Sequence, residues 1–132
     1  MALQFFPRAG QVLLCDFSGF KPPEMVKKRP VIVVSPRLPY RSQLAAIVPI
    51  SLTEPRHGMP YCCRLSKNYH PLEPDDLPSW AKCDMLVNIS LERLETFKIG
   101  RRQYASANLT PQDLKAVRWS VLCGLGLDKG IE

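Results

Sequence analysis

The stretch Lys21–Pro36, "KPPEMVKKRPVIVVSP", sets three consecutive basic residues, Lys27, Lys28 and Arg29, against Pro30 at the mouth of the most hydrophobic run in the chain. A residue before proline is driven out of α geometry, and proline is tolerated at the first position of a strand, so Arg29-Pro30-Val31 marks a loop becoming a strand. Arg29 is therefore predicted to be extended, with its guanidinium anchored on a rigid element. A basic triplet elsewhere reads as a solvated run. This one occupies a junction.

Around it lie further strand-like runs: "QVLLCDF" (11–17), "PVIVVS" (30–35), "LAAIVPI" (44–50), "YCCRL" (61–65) and "CDMLVNI" (83–89), all apolar or β-branched and separated by turn-rich segments. Five short strands at close spacing predict a mainly β chain folded as a small barrel or strongly curved sheet. Thirteen prolines, densest in "YHPLEPDDLPSW" (69–80), exclude long helices through most of the chain. The exception is "LTPQDLKAVRWSVLCGLG" (109–126), with Thr110 as N-cap, Pro111 at the first helical position and Asp113 at the third. Leu114, Val117, Val121 and Leu125 recur there at helical spacing, Gly124 and Gly126 mark the end, and the apolar stripe is predicted to pack on the sheet.

At 132 residues the chain is expected to form one domain spanning 1–132, and 45% hydrophobic against 23% charged residues argues for a folded core rather than disorder. The net charge of +6 favours polyanionic or acidic partners. The start "MALQFFPRAG" has neither a charged n-region nor a sufficient apolar h-region, and no apolar run reaches membrane-spanning length, so a cytoplasmic protein with no membrane partner is expected. Five cysteines, Cys15, Cys62, Cys63, Cys83 and Cys123, form no CxxC pair, and His57 and His70 complete no zinc spacing. They read as reduced, mostly buried thiols, with no metal site.

The ordered pattern "GQVLLCDFSG…PPEMVKKRPVIVVSP…AAIVPISLTEP…WAKCDMLVNIS…LERL…LTPQDLKAVRWSVLCGLG" resembles the MazF/PemK family of bacterial toxin-antitoxin modules, from about Gly10 to about Gly126. Its most specific parts are the G-x-V-x-x-x-D-F first strand, the R-P-V-I-V-V-S-P second strand and the V-P-I-S end of the third. The resemblance implies an SH3-like barrel with a C-terminal helix, usually a homodimer, that is the toxin of a type II module with a cognate acidic antitoxin. The activity implied is sequence-selective cleavage of single-stranded RNA through the substrate's own 2′-hydroxyl, giving a 2′,3′-cyclic phosphate and a 5′-hydroxyl, with no metal and no cofactor.

Negative charge builds on the phosphate oxygens in such a transition state, so the chemistry calls for a fixed guanidinium and hydroxyl or backbone donors. Arg29 matches the family's arginine before the proline, and Ser51 matches its hydroxyl after V-P-x, where threonine is more usual. Thr53 is a nearby substitute for Ser51. A proton acceptor is also needed, because arginine is a poor proton carrier. Asp84, two residues after the basic Lys82, matches an aspartate of the PemK-like branch, and Glu24 matches a loop glutamate of the MazF branch; the sequence leaves both open.

Lys27, Lys28, Thr53, Lys82 and Trp80 are candidate RNA contacts. Trp80 and Tyr69 border the long connection "KNYHPLEPDDLPSW" (67–80), a departure from the family that is expected to reshape the RNA groove, and are candidate stacking platforms. The commoner fate of such aromatics is to pack against prolines. His57 and His70 have no counterpart in the family pattern and read as surface-loop residues. Two other classes share the barrel: toxins that bind DNA gyrase without cutting nucleic acid, and non-catalytic RNA-binding barrels. The paired "RPVIVVSP" and "VPIS" segments argue against the first.

Overall fold

Strand β3 (Leu44–Ser51) is the hub of the architecture. The earlier strands are β1 (Gln11–Cys15) and β2 (Arg29–Val33), and β4 (Cys62–Arg64), β5 (Trp80–Lys82), β6 (Val87–Ser90), β7 (Leu94–Glu95), β8 (Phe97–Gly100), β9 (Gln103–Ala105) and β10 (Ala107–Asn108) follow before helix α1 (Pro111–Gly124). The computed structural model describes residues 3, 5–40 and 43–129. The main sheet runs β10-β1-β2-β3-β5-β4, with β6 also paired to β3 and β7 also paired to β1. Because β6 passes through a 3-10 turn (Leu91–Arg93) into β7, the chain carries the sheet from β3 back to β1. The curved sheet is thus wrapped as an SH3-like barrel whose last corner is covalent rather than a continuous hydrogen-bond ladder.

The central strands are buried on both faces, which is why their sequences run apolar without alternation. Val12, Ile32 and Val48 lie in register and form one core with Val117 of the helix; Leu13, Val31, Val33 and Ile47 form the second core with Phe17, Ile89 and Leu94. A serial deletion of side chains on either face would therefore open a cavity.

The predicted strand over 83–89 divides. Cys83–Met85 is a 3-10 turn, and only Val87–Ser90 is strand. The registers give the reason: Ile50 pairs with Ala81, whereas Ile47, three residues back, pairs with Val87. The three residues of the turn take up that offset and let one strand edge hold two partners. They also meet the helix end, where a Cβ on Gly124 would stand 3.2 Å from the Asp84 Cα and from the Cys83 carbonyl oxygen.

Helix α1 begins as predicted, with the Thr110 hydroxyl accepting from the Asp113 N–H at 3.2 Å. Its apolar stripe packs on the core as predicted, with Val117 fully buried and Leu114 and Val121 partly buried beside it, but Asp113 and Ser120 are buried as well and Leu125 is exposed. The Asp113 Oδ2 accepts from the Tyr69 hydroxyl at 2.6 Å, the Ser66 hydroxyl at 2.7 Å and the Ser66 N–H at 3.0 Å. Burial raises this carboxyl, and the hydrogen bonds from Tyr69 and Ser66 outweigh that, leaving it below the ordinary carboxylate value. Asp113→Ala should therefore cost about 1–3 kcal/mol in urea unfolding, since it strands buried donors. A carboxyl held low in the fold stabilises fully above the unfolded value of about 3.9 and loses that contribution as pH falls through the folded value. Unfolding curves of wild type and variant should thus converge in acid; a constant gap down to the acid transition would refute the assignment.

Candidate functional site

The β2–β3 ladder pairs Val31 with Pro49 and Ile32 with Val48. Two residues further in the same register, Arg29 comes opposite Ser51. The sequence places a proline next to Arg29 and another near the end of β3, and the β2–β3 ladder ends at Val31 and Pro49 while Arg29 still pairs with Cys15 and Ser51 with Trp80, so the two residues stand where β2 and β3 part at the rim of the barrel. Arg29 and Ser51 line two clefts that meet at this rim.

The larger cleft, about 470 Å³, is bounded by Lys27, Lys28, Arg29, Ser51 and Thr53 on one side and by Asn68, Tyr69, His70 and Glu73 of the long connection on the other. The smaller, about 150 Å³, is bounded by Glu24, Arg29, Ser51 and Lys82. Arg29 is half-buried, its Nε is buried without a hydrogen-bond partner, and neither ion pair among the described residues involves it. An unmatched buried cationic donor is costly in a fold and marks a place where an anion is wanted. Ser51 is buried; its Oγ accepts from the Thr53 N–H at 3.1 Å, which leaves the O–H available to donate into the cleft.

The other candidates separate. Lys28 donates to Glu95 at 2.7 Å, and that contact raises the lysine's pKa and lowers the glutamate's. Glu24 stands in the smaller cleft, its Oε1 accepting from the Lys21 N–H at 3.0 Å. Asp84 is exposed on the 3-10 turn beside the helix end and lines neither cleft. Trp80 pairs with Ser51 in the ladder and is 9% exposed, with the Arg64 guanidinium 6.0 Å from its ring centre. It underlies the site instead of offering a face to a base. Tyr69 is 5% exposed and spends its hydroxyl on Asp113, so it too is no platform.

His57 is exposed on its loop as expected, but His70 is not a simple surface residue. It is half-buried on the cleft wall, with its ring centre 4.5 Å from that of Phe97, its Nδ1 accepting from the Leu72 N–H at 3.1 Å and its own N–H donating to Asn68 Oδ1 at 2.9 Å. No local signal in "NYHPLEP" announces this, because the wall exists only once Tyr69 is tied to the helix.

Among the described residues no group of three or more His, Cys, Asp or Glu is arranged to hold a metal ion, and no helix is long and apolar enough to cross a membrane. All five cysteines are unbridged. Burial pushes the Cys15 thiol up to about 12 and raises Cys83 further, which makes both poor nucleophiles.

The chain is thus a curved antiparallel barrel of the SH3-like kind, with one C-terminal helix and a basic cleft at the β2–β3 rim. Residues 8–120 match the family described as PemK-like, MazF-like toxin of type II toxin-antitoxin system, and the chain belongs to that family. Its fold is that of MazF from Deinococcus radiodurans, at a TM-score of 0.67 and 20% identity over 93% of this chain and 99% of that one. An endoribonuclease in complex with its cognate antitoxin, from mycobacterial species, superposes at a TM-score of 0.65 and 20% identity, covering 92% and 97% of the two chains. In sequence the chain is 25% identical to the uncharacterized protein YifN of Escherichia coli (strain K12), over 71% of this chain and 75% of that protein.

The thiol environments lead to a direct check. At neutral pH, Cys15 and Cys83 should label with a thiol reagent only after denaturation, at a rate set by unfolding. Rapid labelling of either in the native protein would contradict their burial.

Proposed function

We propose that this chain is the toxin of a type II module and acts as an endoribonuclease on single-stranded RNA, using the substrate's 2′-hydroxyl as nucleophile. The observation that carries the reading is the Arg29 guanidinium at a cleft rim, its Nε buried without a partner, in clefts it shares with a serine whose O–H is available to donate. These two groups suit a pentacoordinate phosphorane better than they suit a resting protein. In the reaction the 2′-oxygen forms a bond to phosphorus as its proton leaves to a carboxylate. The bond from phosphorus to the 5′-oxygen breaks, and that oxygen takes a proton from water to become a 5′-hydroxyl. Neither step requires a metal ion or cofactor.

Placement favours Glu24 as the proton acceptor, since it shares the smaller cleft with Arg29 and Ser51 while Asp84 stands apart. Its Oε2 is the oxygen available for the proton, Oε1 being engaged with the Lys21 N–H. Lys27 and Lys82 add positive potential along an RNA backbone passing the rim. In the same reading the chain works as a homodimer, and the antitoxin is an acidic segment that covers Arg29 and competes with RNA.

Arg29→Ala should lower the single-turnover cleavage rate by about a hundredfold or more while RNA affinity falls far less. Ser51→Ala should act in the same direction but more mildly, because the Thr53 N–H it releases is itself a donor. Replacing the ribose 5′ of the cleaved bond with deoxyribose should abolish cleavage and leave binding intact, and activity should persist in EDTA. Sustained cleavage of the deoxy substrate would mean that water or a metal hydroxide attacks, and the reading would fall.

The two carboxylates are told apart by substitution. Glu24→Gln should slow cleavage by about a hundredfold, in the range of a lost general base, and Asp84→Asn should leave the rate within a few-fold of wild type. The opposite order would move the proton acceptor to the 3-10 turn.

A further inference from the structure

A third cleft of about 390 Å³ lies beyond His70, lined by Leu14, Lys28 and His70, which it shares with the larger cleft, and by Leu72, Phe97, Lys98 and Tyr104 among others. We infer that this cleft is a subsite for one nucleotide flanking the cleaved bond, with the base stacked on Tyr104 and its phosphate held by Lys98. The inference rests on the ribonuclease reading and extends it to a part of the surface that contains none of the residues carrying the chemistry.

Size and continuity come first. The volume falls within the range of about 300–1,000 Å³ typical of small-ligand sites. Three residues are common to both clefts, so the third cleft adjoins the larger one and is within reach of a strand of RNA leaving Arg29 and Ser51.

Chemistry comes second. Of the tyrosine and phenylalanine residues lining the two clefts, Tyr69 and Phe97 are buried at 5% and 2%, while Tyr104 is 44% exposed. Tyr104 sits on the β8–β9 hairpin, which is not laddered to the main sheet, and is the cross-strand partner of Lys98. Directly opposed residues project from the same face, so an aromatic ring and an ammonium stand side by side over the cleft. That pair is what a sequence-tolerant nucleotide site uses, a π-face for the base and a cation for the phosphate. Lys28 is already neutralised by Glu95, and neither ion pair among the described residues involves Lys98, so Lys98 carries the phosphate-directed charge.

His70 stands on the wall common to both clefts. With Nδ1 accepting from the Leu72 N–H, Nε2 is the ring nitrogen left to hydrogen-bond RNA passing between the two clefts.

The test uses the full chain and an RNA series shortened one nucleotide at a time from either end. Cleavage is measured as kcat/KM, and affinity is measured with the matching deoxy-blocked oligonucleotides. For wild type, loss of the nucleotide that reaches this cleft should lower both readings by about tenfold, as expected for one stacked base. Tyr104→Ala should show the same tenfold loss on the longer RNA and none on the shortened one, and Tyr104→Phe should behave as wild type. Lys98→Ala should reduce the salt slope of binding by about 1, again only on the longer RNA.

Tyr104→Ala matching wild type on the longer RNA, or losing equally on both lengths, would overturn the subsite. If no RNA is cleaved but the length-dependent effect of Tyr104 on binding persists, the subsite stands and the ribonuclease reading falls. If neither cleavage nor length-dependent binding is seen, both fall. Tyr104 and Lys98 are exposed, so both variants should fold as wild type does, which coincident unfolding curves would check.

Discussion

The Asp113 carboxylate joins the C-terminal helix to the connection that walls the cleft. It belongs to the first turn of the helix, where the positive end of the helix dipole favours a negative charge, and it accepts from Tyr69 and Ser66 of the connection between β4 and β5. The Tyr69 hydroxyl in turn accepts from the Thr110 N–H at 3.2 Å. With this knot tied, the rest of the connection closes on itself: the Asn68 N–H donates to the Asp75 carbonyl at 2.9 Å, and the Asn68 side chain donates to the Leu77 carbonyl at 3.3 Å. A fifteen-residue span without helix or strand, 65–79, thereby becomes a wall. His70 and Glu73 face the cleft because Tyr69 is held.

The positive charge of the chain is selective in its placement once partners are considered. Arg93 donates to the carbonyls of Asp16 and Ser18 at 3.0 and 2.8 Å and lies 4.9 Å from the Phe20 ring centre. Lys28 is held by Glu95, and Lys67 by Asp75 at 3.5 Å. These cations are used by the fold. Arg29 stands at the cleft rim with its Nε unmatched, so the electrostatic signature of the site is a cation left over from folding rather than the net charge of +6.

Much of the scaffold was legible in the sequence because it rests on local rules. The Arg29-Pro30 junction opens β2, the Thr110-Pro111 pair opens the helix, and the apolar runs of β1 and β3 stand where β-branched residues cluster. What escaped local reading was set by tertiary partners. Nothing within "CDMLVNI" indicates a register offset on the far side of β3, and the short strands between Leu94 and Asn108 are too brief and too polar to show a period. The same division holds in the cleft. Arg29 and Ser51 belong to strand ends and were visible; Glu24 and Asp84 were equivalent on paper until the fold put one beside Arg29 and the other at the helix end. Trp80 and Tyr69 were offered as stacking faces, and their burial came from neighbours that no nearby residue names. Tyr104 went unnoticed because a lone tyrosine in a polar hairpin has no pattern.

The division of β3 between two partners has a meaning for how this fold can vary. Its first half carries β6, the strand that leads to the barrel's closing corner, while its last two residues carry β5, the strand that returns from the connection. The three-residue turn between them works as a coupling joint: whatever happens to the length of the segment before Trp80 ends at Lys82, and the barrel resumes at Val87 in its own register. One module supplies the frame and the other supplies the groove's outer wall. Lineages built on this plan are free to lengthen, shorten or rewrite that wall, and with it the shape of what fits, while the strands that present the arginine and the serine stay as they are.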